Sequence, residues 1–209
     1  MSHTTIHLVR HGLVHNPNEV FYGRLPRYRL GAEGELQAQA AALALKDKPL
    51  VAVYSSPLLR TRQTAERILA FHPKLKVRLS RLLIEVGTPH DGSTIANMVA
   101  NGWDLYSGNQ HPHEQPEHIT QRARKFFALM RQRHAGREVV AVSHGDVIAF
   151  SILWGSGQPA NWRLKGDLRR FGITDGYPQT ASITSFTFTN DKGQIDGDQL
   201  SDVSYQKPY

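Results

Sequence analysis

The sequence predicts an α/β fold: a single three-layer α/β/α domain with a mainly parallel central sheet. Three observations carry that prediction. The 209 residues, 40% of them hydrophobic, suffice for one sizeable core. Short apolar runs with strand character alternate with helical segments, the pattern of strands joined by crossover helices. No linker, internal repeat or low-complexity stretch divides the chain, so one domain over residues 1–209 is expected.

The elements follow in order. Thr5 to Val9 reads as a short buried strand ending on Arg10-His11-Gly12. Turn formers follow, through Asn16-Pro17-Asn18 and Gly23 to Pro26. Glu33 to Lys46 is dense in Ala, Leu and Gln, with Pro49 just beyond, which predicts a helix. Val51 to Tyr54 is a second buried strand, and Ser55-Ser56-Pro57 opens a helix over Leu58 to Phe71. Lys76 to Leu79 suits a third strand. Gly87 to Pro116 is irregular, with a short helix near Ser93 to Ala100. That length is unusual for a passive connection, so residues 86–118 are expected to form a substrate-covering insertion. Ile119 to His134 carries Ala123, Phe126, Phe127 and Met130 on one helical face. Glu138 to Val142 is a fourth strand ending on Ser143-His144-Gly145, with a helix over Val147 to Leu153. Ala181 to Thr189 alternates like a strand, and the polar last fifteen residues are expected to be a loose tail.

Composition narrows the chemistry. Cysteine is absent, which removes disulfides, thiolate nucleophiles and cysteine-based zinc sites. No apolar run reaches eighteen residues, and the N-terminus lacks a basic segment followed by an apolar one. A cytoplasmic protein with no membrane partner is the expectation. Lys and Arg number 25 against 18 Asp and Glu, a formal charge of +7 that suits an anionic partner such as a phosphate ester.

In an open parallel sheet, ligands bind beyond the carboxyl ends of the strands. The first strand delivers Arg10 and His11 there, the second leads to Ser55-Ser56 and Arg60, and the fourth delivers His144. Arginine forks match phosphate oxygens bidentately. A neutral imidazole can attack phosphorus. The glycine after each histidine suits close approach of backbone to ligand. Spacing alone therefore points to a phosphate pocket with a histidine nucleophile.

Three segments resemble motifs of the histidine phosphatase superfamily, the phosphoglycerate mutase-like fold, in its larger branch 1: Leu8-Val9-Arg10-His11-Gly12, Ser55-Ser56-Pro57-Leu58-Leu59-Arg60-Thr61-Arg62-Gln63-Thr64-Ala65 and Val140-Ala141-Val142-Ser143-His144-Gly145. Weaker echoes are Tyr22-Gly23-Arg24-Leu25-Pro26 and Thr180-Ala181-Ser182-Ile183, so the likeness runs from about Thr5 to Phe188. The resemblance implies that His11 becomes a phosphohistidine, and that Arg10, Arg60 and His144 hold the phosphoryl oxygens. It also implies that no metal and no cofactor take part. Glu85 sits where the family places the acid that protonates the leaving oxygen. Beyond Glu85 the chain departs from the family's Trp-Glu-Gly continuation, reading Gly87-Thr88-Pro89-His90-Asp91-Gly92, which makes Asp91 a rival donor and Asp146 a more distant one. Asn16, one position off the family's asparagine, is assigned a phosphate contact.

Plainer readings stand beside these. A lone histidine at a strand end is usually a satisfied buried group, and Glu85 could cap a turn or pair with Arg81. His111 to His118 contains zinc-type ligands but reads as an exposed loop. The basic groups Lys74-Lys76-Arg78-Arg81 and Arg163-Lys165-Arg169-Arg170 read as solvated faces, and without interleaved aromatics or a reader fold no nucleic-acid partner is expected. The functional expectation is a metal-independent phosphatase acting on a small phosphomonoester. A phosphoglycerate mutase and a weakly active phospho-ligand or protein-binding module are the alternatives. The mutase signature of an acid followed by Arg-His-Tyr-Gly is replaced here by Val86-Gly87-Thr88 after Glu85. No sequence feature assigns a natural substrate or an oligomeric state.

Overall fold

The computed structural model describes residues 2–190 and 200–209. Eleven elements of two or more turns or paired residues follow in chain order: β1 (Ser2–Arg10), α1 (Ala32–Leu45), β2 (Leu50–Ser55), α2 (Leu59–Leu69), β3 (Val77–Leu79), α3 (Ile95–Ala100), α4 (Pro116–Arg133), β4 (Glu138–Ser143), α5 (Gly145–Gly155), β5 (Ile183–Asn190) and β6 (Leu200–Gln206). One sheet runs in the order β3-β2-β4-β1-β5-β6. The pairs β1–β4, β2–β4 and β2–β3 are parallel, while β5 is antiparallel to both β1 and β6. The sheet is thus mixed, with a mainly parallel centre.

Both faces are covered, as the continuous apolar runs require. Alternate residues of each strand point to opposite faces. Ile6, Leu8, Ala52, Tyr54, Val139, Ala141, Phe186 and Phe188 enter one core with Phe126, Phe127 and Met130 of α4 and Ile148 and Ile152 of α5. Val9, Val53, Val140, Val142 and Ile183 enter the other, against Ala41, Ala42 and Leu45 of α1 and Ala65 and Ile68 of α2. The alanine ridge of α1 lets that helix approach the sheet closely. α5 is buried from Gly145 to Leu153, which accounts for its nearly unbroken apolar sequence.

The expected loose tail is corrected in part: residues 195–199 lie outside the described residues, but Leu200–Gln206 form β6 along β5. Leu200, Val203 and Tyr205 pack toward the core while the intervening residues are exposed, a polar-faced edge strand whose alternation is diluted by its composition. Among the described residues, no helix is long and apolar enough to cross a membrane.

The helices leaving β1 and β4 go to opposite faces, so a crevice opens where these two adjacent strands end. Arg10 is in register with Ser143, which sets the residues after each strand side by side.

Candidate active site

His11 follows β1 and His144 caps α5 at the end of β4; their rings lie 5.3 Å apart, centre to centre. The His11 amide donates to the Ser143 carbonyl across the same gap, at 3.1 Å. Both imidazoles are buried, at 1% and 0% exposure. Nδ1 of His11 lies 2.8 Å from the Gly12 carbonyl oxygen. A carbonyl can only accept, so Nδ1 carries the proton and Nε2 keeps its lone pair. Arg60 agrees with that tautomer, donating from Nε to His11 Nε2 at 3.2 Å. Burial first, then the Arg60 and Arg10 cations, hold the His11 pKa well below 6.5. His11 is therefore a neutral imidazole whose unprotonated Nε2 accepts from Arg60 at the crevice.

Arg60, on the first turn of α2, is itself 1% exposed. Its Nη2 donates to the Gly23 carbonyl at 2.7 Å and lies 3.3 Å from His144 Nδ1. Tyr22 lies under the guanidinium, 4.8 Å from ring centre to Cζ, so loop 16–30 and α2 hold the cation together. His144 Nε2 pairs with Ser56 Oγ at 2.8 Å. Burial, then Arg60 and His11, keep its pKa well below 6.5 as well. Arg10 donates from Nη1 to the Pro178 carbonyl at 2.7 Å, while its buried Nε has no hydrogen-bond partner among the described residues.

Glu85 lies just beyond a one-turn 3₁₀ helix, Arg81–Leu83. One carboxylate oxygen accepts the Val86 amide at 2.9 Å; the other is 3.5 Å from His144 Nδ1 and 4.0 Å from Arg60 Nη2. Burial, and then repulsion from Asp146, push its pKa above 4.5 despite Arg60. The shift favours the protonated form of the carboxyl. Its backbone oxygen accepts from Arg24 Nε at 2.8 Å and Arg122 Nη2 at 3.3 Å, and the bond from the Val86 amide to the carboxylate is the cap that the plainer reading expected.

The rival acids are placed differently. Asp91 accepts the Arg24 amide at 3.0 Å and, like Arg60 and His144, is not among the residues lining the cavity. Asp146 does line it. Burial alone would raise its pKa, but the Lys165 ammonium at 2.5 Å and hydrogen bonds from Lys165, Tyr106 and Tyr177 outweigh burial and hold it below the usual range. It is an anion committed to partners. Asn16 uses its side chain on Val20, donating to the carbonyl at 2.8 Å and accepting from the amide at 3.3 Å. It braces the loop, and it too is absent from the cavity wall.

Several readings of the sequence change. Lys165 is 6% exposed and paired with Asp146, so it leaves the expected solvated face, while Arg163, Arg169 and Arg170 are exposed and Arg163 also lines the cavity. Gly12 is required by protein packing: a Cβ there would stand 2.2 Å from the Gly34 oxygen at the start of α1. Gly145 lines the cavity, and a Cβ there would meet the Tyr177 hydroxyl at 2.3 Å. Of the loop expected over His111 to His118, His111 to Gln115 is one, with Glu114 engaged by Arg24 and Arg122, whereas Pro116 to His118 form the first turn of α4. Tyr22 and Ser56 lie in the quoted motif segments but have no role assigned from sequence, and no sequence signal marks Tyr177.

His11, Glu85 and His144 offer ligand atoms within 4.8 Å of one another, the one such group among the described residues. The Arg60 and Arg10 guanidiniums oppose a cation there. The same charges favour an anion.

Comparisons with known proteins agree. The model of the histidine phosphatase superfamily (branch 1) matches residues 6–198. An uncharacterized Mycobacterium tuberculosis protein, Rv0525, is 38% identical, with 98% of this chain and 96% of that protein covered. A mycobacterial glucosyl-3-phosphoglycerate phosphatase in complex with VO3 is 26% identical with a TM-score of 0.71, covering 87% of this chain and 92% of that one. A phosphoserine phosphatase from Entamoeba histolytica shares the fold, with a TM-score of 0.67, 22% identity and coverage of 88% and 90%.

Proposed function

Because the chain belongs to branch 1 of the histidine phosphatase superfamily, we propose that it is a metal-independent phosphatase hydrolysing a small phosphomonoester through His11. The observation that carries this reading is the His11 tautomer: a neutral, buried imidazole whose unprotonated Nε2 faces Arg60. Nε2 attacks phosphorus as the ester P–O bond breaks, and Glu85 delivers its proton to the departing oxygen. The products of this half are the free alcohol and a phosphoryl group on His11 Nε2. Water then attacks phosphorus, Glu85 takes the proton from it, and the bond to His11 breaks to release phosphate. Arg10, Arg60 and His144 hold the three equatorial oxygens and stabilise their charge in both steps. The orphaned Arg10 Nε is a buried donor suited to such an oxygen. Asn16 supports the loop that carries Tyr22. Residues Val86, Ile95, Gly102, Trp103 and Leu105 line the cavity from the 86–118 stretch, which supports its role as a substrate cover.

The deciding experiment is aryl phosphate hydrolysis in excess chelator, wild type against His11→Ala. Chelator-resistant turnover lost in the variant is expected. Equal rates in the two proteins would overturn the mechanism, and phosphate-ester binding without turnover would identify the chain as a binding module instead.

A further inference from the structure

The cavity at His11 occupies about 500 Å³ and extends well past the phosphoryl-binding groups. Its apolar wall is built from Phe21 in the loop after β1, Ile95 at the start of α3, Trp103 and Leu105 after α3, and Trp162 after α5. The Phe21 and Trp103 rings meet edge to face at 6.5 Å. Trp103 remains 42% exposed, and its backbone is left-handed, φ 58°, directly after Gly102 at φ 65°. A bulky residue adopts that conformation only at a cost in strain, and such outliers concentrate where a side chain must be presented to a ligand. The Trp103 amide is pinned to the Met98 carbonyl at 2.8 Å, which holds the turn.

The polar groups that reach this half of the cavity are already matched to one another. Asp146 accepts from Lys165, Tyr106 and Tyr177, and the Lys165 ammonium sits 4.8 Å over the Tyr106 ring. Arg163, at the wall beside them, lies 4.6 Å over the Trp162 ring. A ring of hydroxyls would find apolar surface and saturated acceptors here, whereas a flat apolar group would displace water from three aromatic side chains.

Resting on the phosphatase reading above, we propose that this wall is a leaving-group subsite for a flat, apolar moiety, so that the substrate class is phosphomonoesters of alcohols bearing an aromatic group. Trp103, Trp162 and Phe21 determine specificity; they contact the leaving group and not the phosphorus.

The test compares alkyl esters of similar leaving-group basicity: 2-(2-naphthyl)ethyl phosphate, glucose 6-phosphate and ethyl phosphate. The naphthyl ester is expected to exceed both others in kcat/KM by about tenfold or more, from the apolar surface it buries. Trp103→Ala and Trp162→Ala should each cut the naphthyl-to-ethyl ratio several-fold. Turnover of all three esters at comparable kcat/KM, preference for glucose 6-phosphate, or a ratio that both variants leave intact overturns the subsite while the phosphatase reading stands. Turnover of none overturns the phosphatase reading. The subsite is then judged by tryptophan fluorescence titration with 2-naphthylmethylphosphonate against methylphosphonate, where at least tenfold tighter binding of the first is expected and equal Kd values overturn it.

Discussion

In the proposed mechanism, Glu85 is the one carboxyl among three whose environment suits a proton donor. Asp146 is nearer a full complement of donors and is held ionised by Lys165; Asp91 serves the Arg24 amide; Glu85 alone stands beside His144 and Arg60 with its pKa raised by burial. Glu85→Gln should lower kcat for an alkyl phosphate by about 10²–10³, because the alkoxide then leaves without a proton. An aryl phosphate with an acidic leaving group should lose less than about tenfold. Steady-state kinetics on the two esters checks this, and the same selective loss in Asp91→Asn, absent from Glu85→Gln, would move the acid to Asp91.

Glu85 has no regular secondary structure of its own to hold it, so neighbouring elements do so. Arg24 from the loop after β1 and Arg122 from α4 both donate to its carbonyl oxygen, and Glu114, just before α4, ties the two arginines together at 2.7 and 2.9 Å. Glu114 also accepts the Gly87 amide at 2.8 Å. It touches no reacting atom and acts as a positioning residue for the acid. Glu114→Gln keeps one acceptor but loses the charge facing two guanidiniums. Alkyl phosphate kcat should fall about tenfold with KM little changed, while aryl phosphate kcat is much less affected. A uniform loss on both esters would mean general loosening of the fold, and no loss would remove the positioning role.

The whole molecule carries the electrostatic consequence of burying its histidines. His11 and His144 at the site, and His7 between Glu138 and Ser185 on the sheet, all have pKa values depressed chiefly by burial. Below about pH 6.5 the unfolded chain takes protons that the folded chain refuses, so these groups lose stability as pH falls from that value. Glu85 and Asp91, with raised pKa values, contribute the opposite sign and are outnumbered by the buried imidazoles. Thermal unfolding should therefore give a Tm that declines between pH 7.5 and 5.5; a Tm that rises on acidification would contradict the neutral, buried state of the imidazoles.

Arg10, His11, Arg60 and His144 were legible because each follows a strand or opens a helix at the carboxyl edge of a parallel sheet, where apolar periodicity alone brings strand ends together. The alternation of strands and helices likewise dictated the layers, since continuous apolar runs must be covered on both faces. Sequence could not supply the partners of Asp146, the burial of Lys165, the presentation of Trp103 and Trp162, or the pairing of β6 with β5. Those depend on irregular segments that meet across long separations, with no period to mark them, and on burial, which turns an ordinary basic residue into half of an internal ion pair. Local chemistry wrote the motifs; the protonation of the imidazoles, the choice of acid and the shape of the cavity arose only when desolvation and neighbouring charges were set by packing.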